Sequence, residues 1–255
     1  MKKNRTVYLA AVLAVLALKL FYRNADSETL TWILAPTTWW VQILSGIAFE
    51  RTAQVGYVSH EYRFVIAASC SGVRFLLIAF VMLVFSFTHL ISSGKKKVCW
   101  LAVSAVFSYI GTIFVNGIRI TVSIYLPLIL MDSGAVPGWL TGERLHTMIG
   151  TTVYFSLLFG IYFVAKWFCF RFFAAAKTVR LWQPAFWYFV MVLGIPSAGR
   201  LYRNDWAGFG QYAALVACVG ALVFLAVCGG SRALSSAKLR MGTRIGQTAC
   251  DNQKF

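Results

Sequence analysis

The chain has 255 residues, of which 59% are hydrophobic and 13% charged, with a mean hydropathy of +0.70. Soluble domains carry about 25% charged residues, so this composition excludes a domain wetted on all sides. The net charge of +16 is read as loop charge that orients a membrane protein rather than as a nucleic-acid surface, because no aromatic-basic module for RNA or DNA is visible.

The apolar runs are continuous, not alternating, which favours helices over a β-barrel. The expected fold is all-α: a polytopic integral membrane helical bundle forming one membrane domain, residues 1–255. About six helices should span, accompanied by one re-entrant or interfacial segment and a small external hairpin.

A first helix is expected over residues 6–22, with Lys2, Lys3 and Arg5 holding its start inside. Arg23-Asn24-Ala25-Asp26 follows it, which is not a small-residue cleavage site, so the helix is expected to be retained. Residues 30–49, interrupted by Pro36 with Thr37 and Thr38 and carrying Trp39-Trp40, are read as the re-entrant or interfacial segment. Residues 51–66 alternate polar and β-favouring types around Gly56 and suggest an external β-hairpin.

The run 70–91 ends at Lys95-Lys96-Lys97. That cluster should be cytoplasmic, so Cys70 lies at the outer end of its helix. The next span, 98–119, returns outward and leaves Arg119 near the outer surface, with 120–131 expected as an outer interfacial helix. Residues 132–144 hold Gly134, Pro137, Gly138 and Gly142 and read as a loop; His146 then opens a run to 168. Two further helices are expected, 182–197 and 209–227, joined outside by a loop with Arg200, Arg203, Asn204 and Asp205. The tail, with Arg232, Lys238, Arg240 and Arg244, is expected inside.

Six cysteines are present, none in a CxxC pair and none at a zinc spacing with histidine. Most sit in apolar runs, where cysteine is a small hydrophobe. Cys70, Arg119 and His146 differ: the charge pattern brings all three to one membrane face. Each has a plainer reading, as a packing cysteine, a snorkelling arginine and a helix cap. Together they form a plausible catalytic set, since ionisable groups at membrane depth usually serve function. A thiolate at Cys70, favoured by a helix start and by nearby cations, would attack a peptide carbonyl and form a thioester. Arg119 would hold the oxyanion, and a protonated His146 would supply the proton for the leaving amine.

Cys70-Ser71-Gly72 after a hairpin-like segment, then Asn116-Gly117-Ile118-Arg119, then His146 at a helix start, resembles the exosortase/archaeosortase family, most closely its exosortase K branch. The resemblance covers about residues 5–170. Residues 1–175 would form the family-like core and 176–255 a two-helix extension with a tail. The resemblance implies a membrane cysteine endopeptidase or transpeptidase in the bacterial cytoplasmic (inner) membrane, with an outward-facing site. Cys70 would be the nucleophile, Arg119 the transition-state stabiliser and His146 the acid/base. Asn116, Ser71 and Gly72 carry over as supporting residues. The implied partners are membrane-anchored proteins with a C-terminal sorting signal, and no metal or organic cofactor is implied. The rival readings are a small-solute transporter, which would want mid-membrane charges and paired broken helices, and a non-catalytic assembly protein. A serine or aspartyl intramembrane protease is disfavoured, because Gly-x-Ser-x-Gly is absent and Asp132 and Asp205 are expected in loops.

Overall fold

The computed structural model describes residues 2–132, 137–173, 180–197 and 209–230. In chain order the elements are α1 (Lys2–Arg23), α2 (Thr31–Ser45), β1 (Glu50–Thr52), β2 (Gly56–Ser59), β3 (Phe64–Ile66), α3 (Val73–Phe87), α4 (Gly94–Asp132), α5 (Gly142–Phe172), α6 (Trp182–Phe189) and α7 (Phe209–Gly230). Among the described residues, five helical stretches are long and apolar enough to cross a membrane: Asn4–Arg23, Ala68–Leu90, Gly94–Leu130, Gly142–Phe172 and Phe209–Gly230. The protein is a helical membrane protein carrying one small sheet. The expected loop at Arg200–Asp205 and the basic tail lie outside the described residues.

Helix α3 is the centre of the bundle. Thirteen of its fifteen residues are buried, and a helix that is apolar all round is stable only when neighbours cover every face. α1, α4, α5 and α6 supply that cover. The α3 ring of Phe87 packs between Trp100 of α4 and Tyr162 of α5, at 5.5 and 5.2 Å. α7 joins the same core through Phe224, 6.3 Å from Phe159. It also lies against α6 at Gly220, where a Cβ would come within 2.6 Å of the Phe189 ring. The outer helices show the opposite pattern: Leu9, Leu13, Leu16 and Leu20 of α1, and Leu222 and Leu225 of α7, are exposed, as expected of faces turned to hydrocarbon. Residues 182–197, expected as one span, form α6 followed by a π-helical segment, Val190–Gly194.

Three sequence expectations change. The segment 120–131 is no separate interfacial helix. α4 runs unbroken for 39 residues through Pro127, about 58 Å at 1.5 Å per residue, roughly twice the hydrocarbon thickness. Asp132 is therefore the last helical residue, not part of a loop. The hairpin is a three-stranded antiparallel meander, with Thr52 opposite Gly56 and Ser59 opposite Phe64. Gly56 begins β2 instead of forming the turn; its φ is 122° and a Cβ there would meet the Ile66 carbonyl oxygen at 2.4 Å. Finally, α5 starts at Gly142, four residues before His146, with Thr141 as its cap: the Thr141 hydroxyl oxygen accepts from the Arg144 N–H.

The segment 30–49 is mostly α2, a fifteen-residue helix of about 22 Å. It lies along α4 in the same direction. Pro36 has no N–H for the Trp32 carbonyl, and the Tyr109 hydroxyl donates to that oxygen instead, at 2.7 Å. Trp40 Nε1 donates to the Phe114 carbonyl and the Tyr125 hydroxyl to the Ser45 carbonyl. Gly117 makes this approach possible, since a Cβ on it would meet the Trp40 ring at 2.4 Å. The sheet is tied in beside α2. Ser27 Oγ donates to the Val55 carbonyl and accepts from the Ala68 N–H, and Arg51 pairs with Glu28 at 2.6 Å. At the far end of the bundle, Lys97 Nζ donates to Asn4 Oδ1, so α1 and α4 begin at one level.

Candidate active site

Cys70 closes a short 3-10 turn, Ala68–Cys70, that directly follows the sheet. It does not begin α3. Ser71 and Gly72 intervene, and Gly72 is the helix cap with φ of 73°. That left-handed backbone suits glycine, and a second constraint acts at the same place: a Cβ on Gly72 would meet Asn116 Cγ at 2.8 Å and Nδ2 at 2.9 Å. Small residues around Cys70 thus let α4 come within hydrogen-bond distance of the turn.

Asn116 uses that approach. It is fully buried, and its Nδ2 donates to the Cys70 carbonyl at 2.6 Å. Its Oδ1 accepts from the Tyr154 hydroxyl at 2.7 Å and from Arg119 Nη1 at 3.5 Å, one helical turn away. Arg119 Nη2 in turn contacts His146 Nε2. A connected chain therefore runs from the Cys70 carbonyl through Asn116 and Arg119 to His146, joining the turn before α3 to α4 and α5. Cys70 enters it through its backbone. Its thiol is free and half-buried, with Ser69 Oγ 4.0 Å away.

Arg119 is 7% exposed. Among the described residues the only ion pair is the distant Arg51–Glu28, so no carboxylate neutralises this buried guanidinium. It is held by Asn116, by His146 and by the face of Tyr154, whose ring centroid is 5.5 Å from Cζ. Its Nε has no hydrogen-bond partner, and neither does the buried Ser71 Oγ. A buried, uncompensated cation costs several kcal/mol in an apolar medium, about the cost assigned to one desolvated ion. Such a site favours an anion beside it.

As a hydrogen bond, the Arg119–His146 contact suits one form of the imidazole. A guanidinium only donates, so Nε2 must accept, and the imidazole is neutral with its proton on Nδ1. A neutral imidazole is a base first and becomes an acid only after taking a proton.

Tyr154 was not singled out from the sequence. It stacks on Phe75 of α3 at 4.8 Å while its hydroxyl fixes Asn116. The readable signal was its spacing: His146, Gly150 and Tyr154 fall every fourth residue on one face of α5. Gly150 leaves room there, as its Cβ would lie 3.7 Å from Arg119 Nε. Among the described residues no three His, Cys, Asp or Glu side chains gather as a metal would require.

What the fold and site define is a helical membrane protein with a connected Cys–Asn–Arg–His set at the sheet end of the bundle, in which Asn116 and Arg119 are buried, Cys70 is half-buried and His146 is exposed. No protein-family model, curated protein or solved structure matches the chain.

Proposed function

We propose that the protein is a membrane-embedded cysteine endopeptidase or transpeptidase of the exosortase kind, cutting C-terminal sorting signals of membrane-anchored proteins at the outer face of the bacterial inner membrane. The observation that carries this reading is the uncompensated guanidinium of Arg119, buried one hydrogen-bonded residue away from Cys70. Buried arginines are as a rule paired; one held only by neutral groups is open to charge that develops during reaction.

The chemistry follows from these positions. As Arg119 turns to the developing oxyanion it frees Nε2 of neutral His146, and that nitrogen takes the thiol proton of Cys70 as the sulfur attacks the scissile carbonyl carbon. A carbon–sulfur bond forms and the carbonyl electrons move onto oxygen. Arg119 stabilises that oxyanion and needs no proton transfer to do so. As the oxyanion collapses, the carbon–nitrogen bond breaks and His146 returns its proton to the leaving amine. Water or an acceptor amine then attacks the thioester and frees the thiol. Asn116 and Tyr154 hold Arg119 and the Cys70 backbone in register throughout.

The test is processing of a tagged substrate in the native membrane. Cys70→Ala and Cys70→Ser should abolish it while the protein still inserts, and Cys99→Ala and Cys218→Ala should leave it intact. Normal processing by Cys70→Ala would remove the proposal.

A further inference from the structure

Two hollows lie in tandem between α4 and α5. The first, of about 480 Å³, is walled by Lys95, Lys96, Cys99 and Phe168 among others. The second, of about 520 Å³, lies farther along toward Arg119 and has an apolar wall that includes Phe107, Gly111, Phe114 and Gly160. They adjoin across one aromatic pair, since the Phe107 and Phe168 rings are 5.2 Å apart. The two glycines shape the second hollow differently. Gly111 lets α5 close over its base, where a Cβ would meet Ile161 at 2.7 Å. Gly160 opens into free space, with nothing within 4 Å of its Cβ position.

The lysine end is positive for two reasons. Lys95 and Lys96 are exposed and have no ion-pair partner among the described residues, while Lys97 is turned to Asn4. They also occupy the first turn of a 39-residue helix, whose N-terminal amides add positive potential. A cationic end leading into an open apolar groove matches an amphiphile with an anionic head. The size argues the same way. Each hollow has the volume of a small-ligand site. Basic pockets between spanning helices are where anionic headgroups lodge.

We propose that this crevice is a binding site for one anionic phospholipid, with its phosphate at Lys95 and Lys96 and an acyl chain passing the Phe107–Phe168 pair toward Gly160. The site is separate from the Cys70 set and does not depend on the function assigned to it.

The experiment is native mass spectrometry of the full-length protein, released from detergent after titration with phosphatidylglycerol or phosphatidylcholine. One phosphatidylglycerol should be retained in preference to phosphatidylcholine. Lys95→Gln with Lys96→Gln should weaken that binding by roughly 30-fold, from about 1 kcal/mol per basic residue. Gly160→Leu, at a position where an added Cβ meets nothing within 4 Å, should abolish retention while leaving the lysines in place. Equal retention of both lipids would overturn the proposal, as would wild-type binding by Gly160→Leu. So would a co-purifying polypeptide that Gly160→Leu displaces, which would make the occupant a protein helix.

Discussion

Gly72→Ala perturbs the site at its tightest point. Two costs add. The φ of 73° places an alanine in the left-handed region, at about 1–2 kcal/mol. The new methyl also falls 2.8, 2.9 and 3.0 Å from three atoms of the Asn116 side chain. That amide cannot rotate away without releasing the Cys70 carbonyl and the Tyr154 hydroxyl, so overpacking adds about 1–3 kcal/mol. The total expected loss is about 2–5 kcal/mol, read as a shift in the midpoint of SDS-induced unfolding of the purified protein. Asn116→Gly removes all three clashing atoms. In that background Gly72→Ala should cost only the backbone share, leaving a coupling of about 1–3 kcal/mol in the double-mutant cycle. A cycle additive to within about 0.5 kcal/mol would refute the contact, and a Gly72→Ala variant as stable as wild type would refute both causes.

Tyr154→Phe keeps the ring under Arg119 and removes the hydroxyl bond to Asn116, so it should cost about 1 kcal/mol of stability and lower processing several-fold. Tyr154→Ala also opens a cavity beside Phe75 and should cost about 3–5 kcal/mol in the same unfolding assay. Arg119→Lys keeps the charge but loses the planar fork that reaches Asn116 and His146 together, so processing should fall by about 100-fold or more. Arg119→Met should abolish processing yet unfold within about 1 kcal/mol of wild type, because relief of an unneutralised buried charge offsets the lost contacts; a large destabilisation would make the arginine structural. Gly117→Ala places a methyl 2.4 Å from the Trp40 ring and should lower stability by about 1–3 kcal/mol. The same change should raise the accessibility of a cysteine placed at the buried Val41, which shares a core cluster with Ile120 and Ile124 of α4, measured by maleimide labelling, as α2 is pushed off α4.

The spanning helices were legible because hydrocarbon thickness and apolar run length are one constraint. The errors arose where a side chain from elsewhere repairs what local rules forbid. Pro36 and its threonines make 30–49 look broken, but the Tyr109 hydroxyl satisfies the carbonyl that proline leaves open. Arg119 looked like an end marker for its helix. It is internal to α4 because Asn116, His146 and Tyr154 cradle it. The alternation around Gly56 suggested a hairpin; what requires glycine there is the Ile66 carbonyl pressed against it across the third strand.

In the site, the residue types at Cys70, Asn116, Arg119 and His146 were readable from the sequence, and the hydrogen bonds that join them were not. Tyr154 stayed hidden because an aromatic on an apolar helix face looks like core, which its stacking on Phe75 also makes it. The charge state of His146 depends on which neighbour its Nε2 meets, and that is a property of the packing of α4 against α5.

The most direct test of the site is the covalent state of Cys70 during turnover. Wild-type protein incubated with a tagged sorting-signal substrate, quenched in acid and digested, should yield the Cys70 peptide carrying the mass of the acyl fragment as a thioester. Hydroxylamine should remove that mass, and Arg119→Met should prevent its appearance. Substrate cleaved with Cys70 unmodified, or with the adduct on another cysteine, would contradict the assignment.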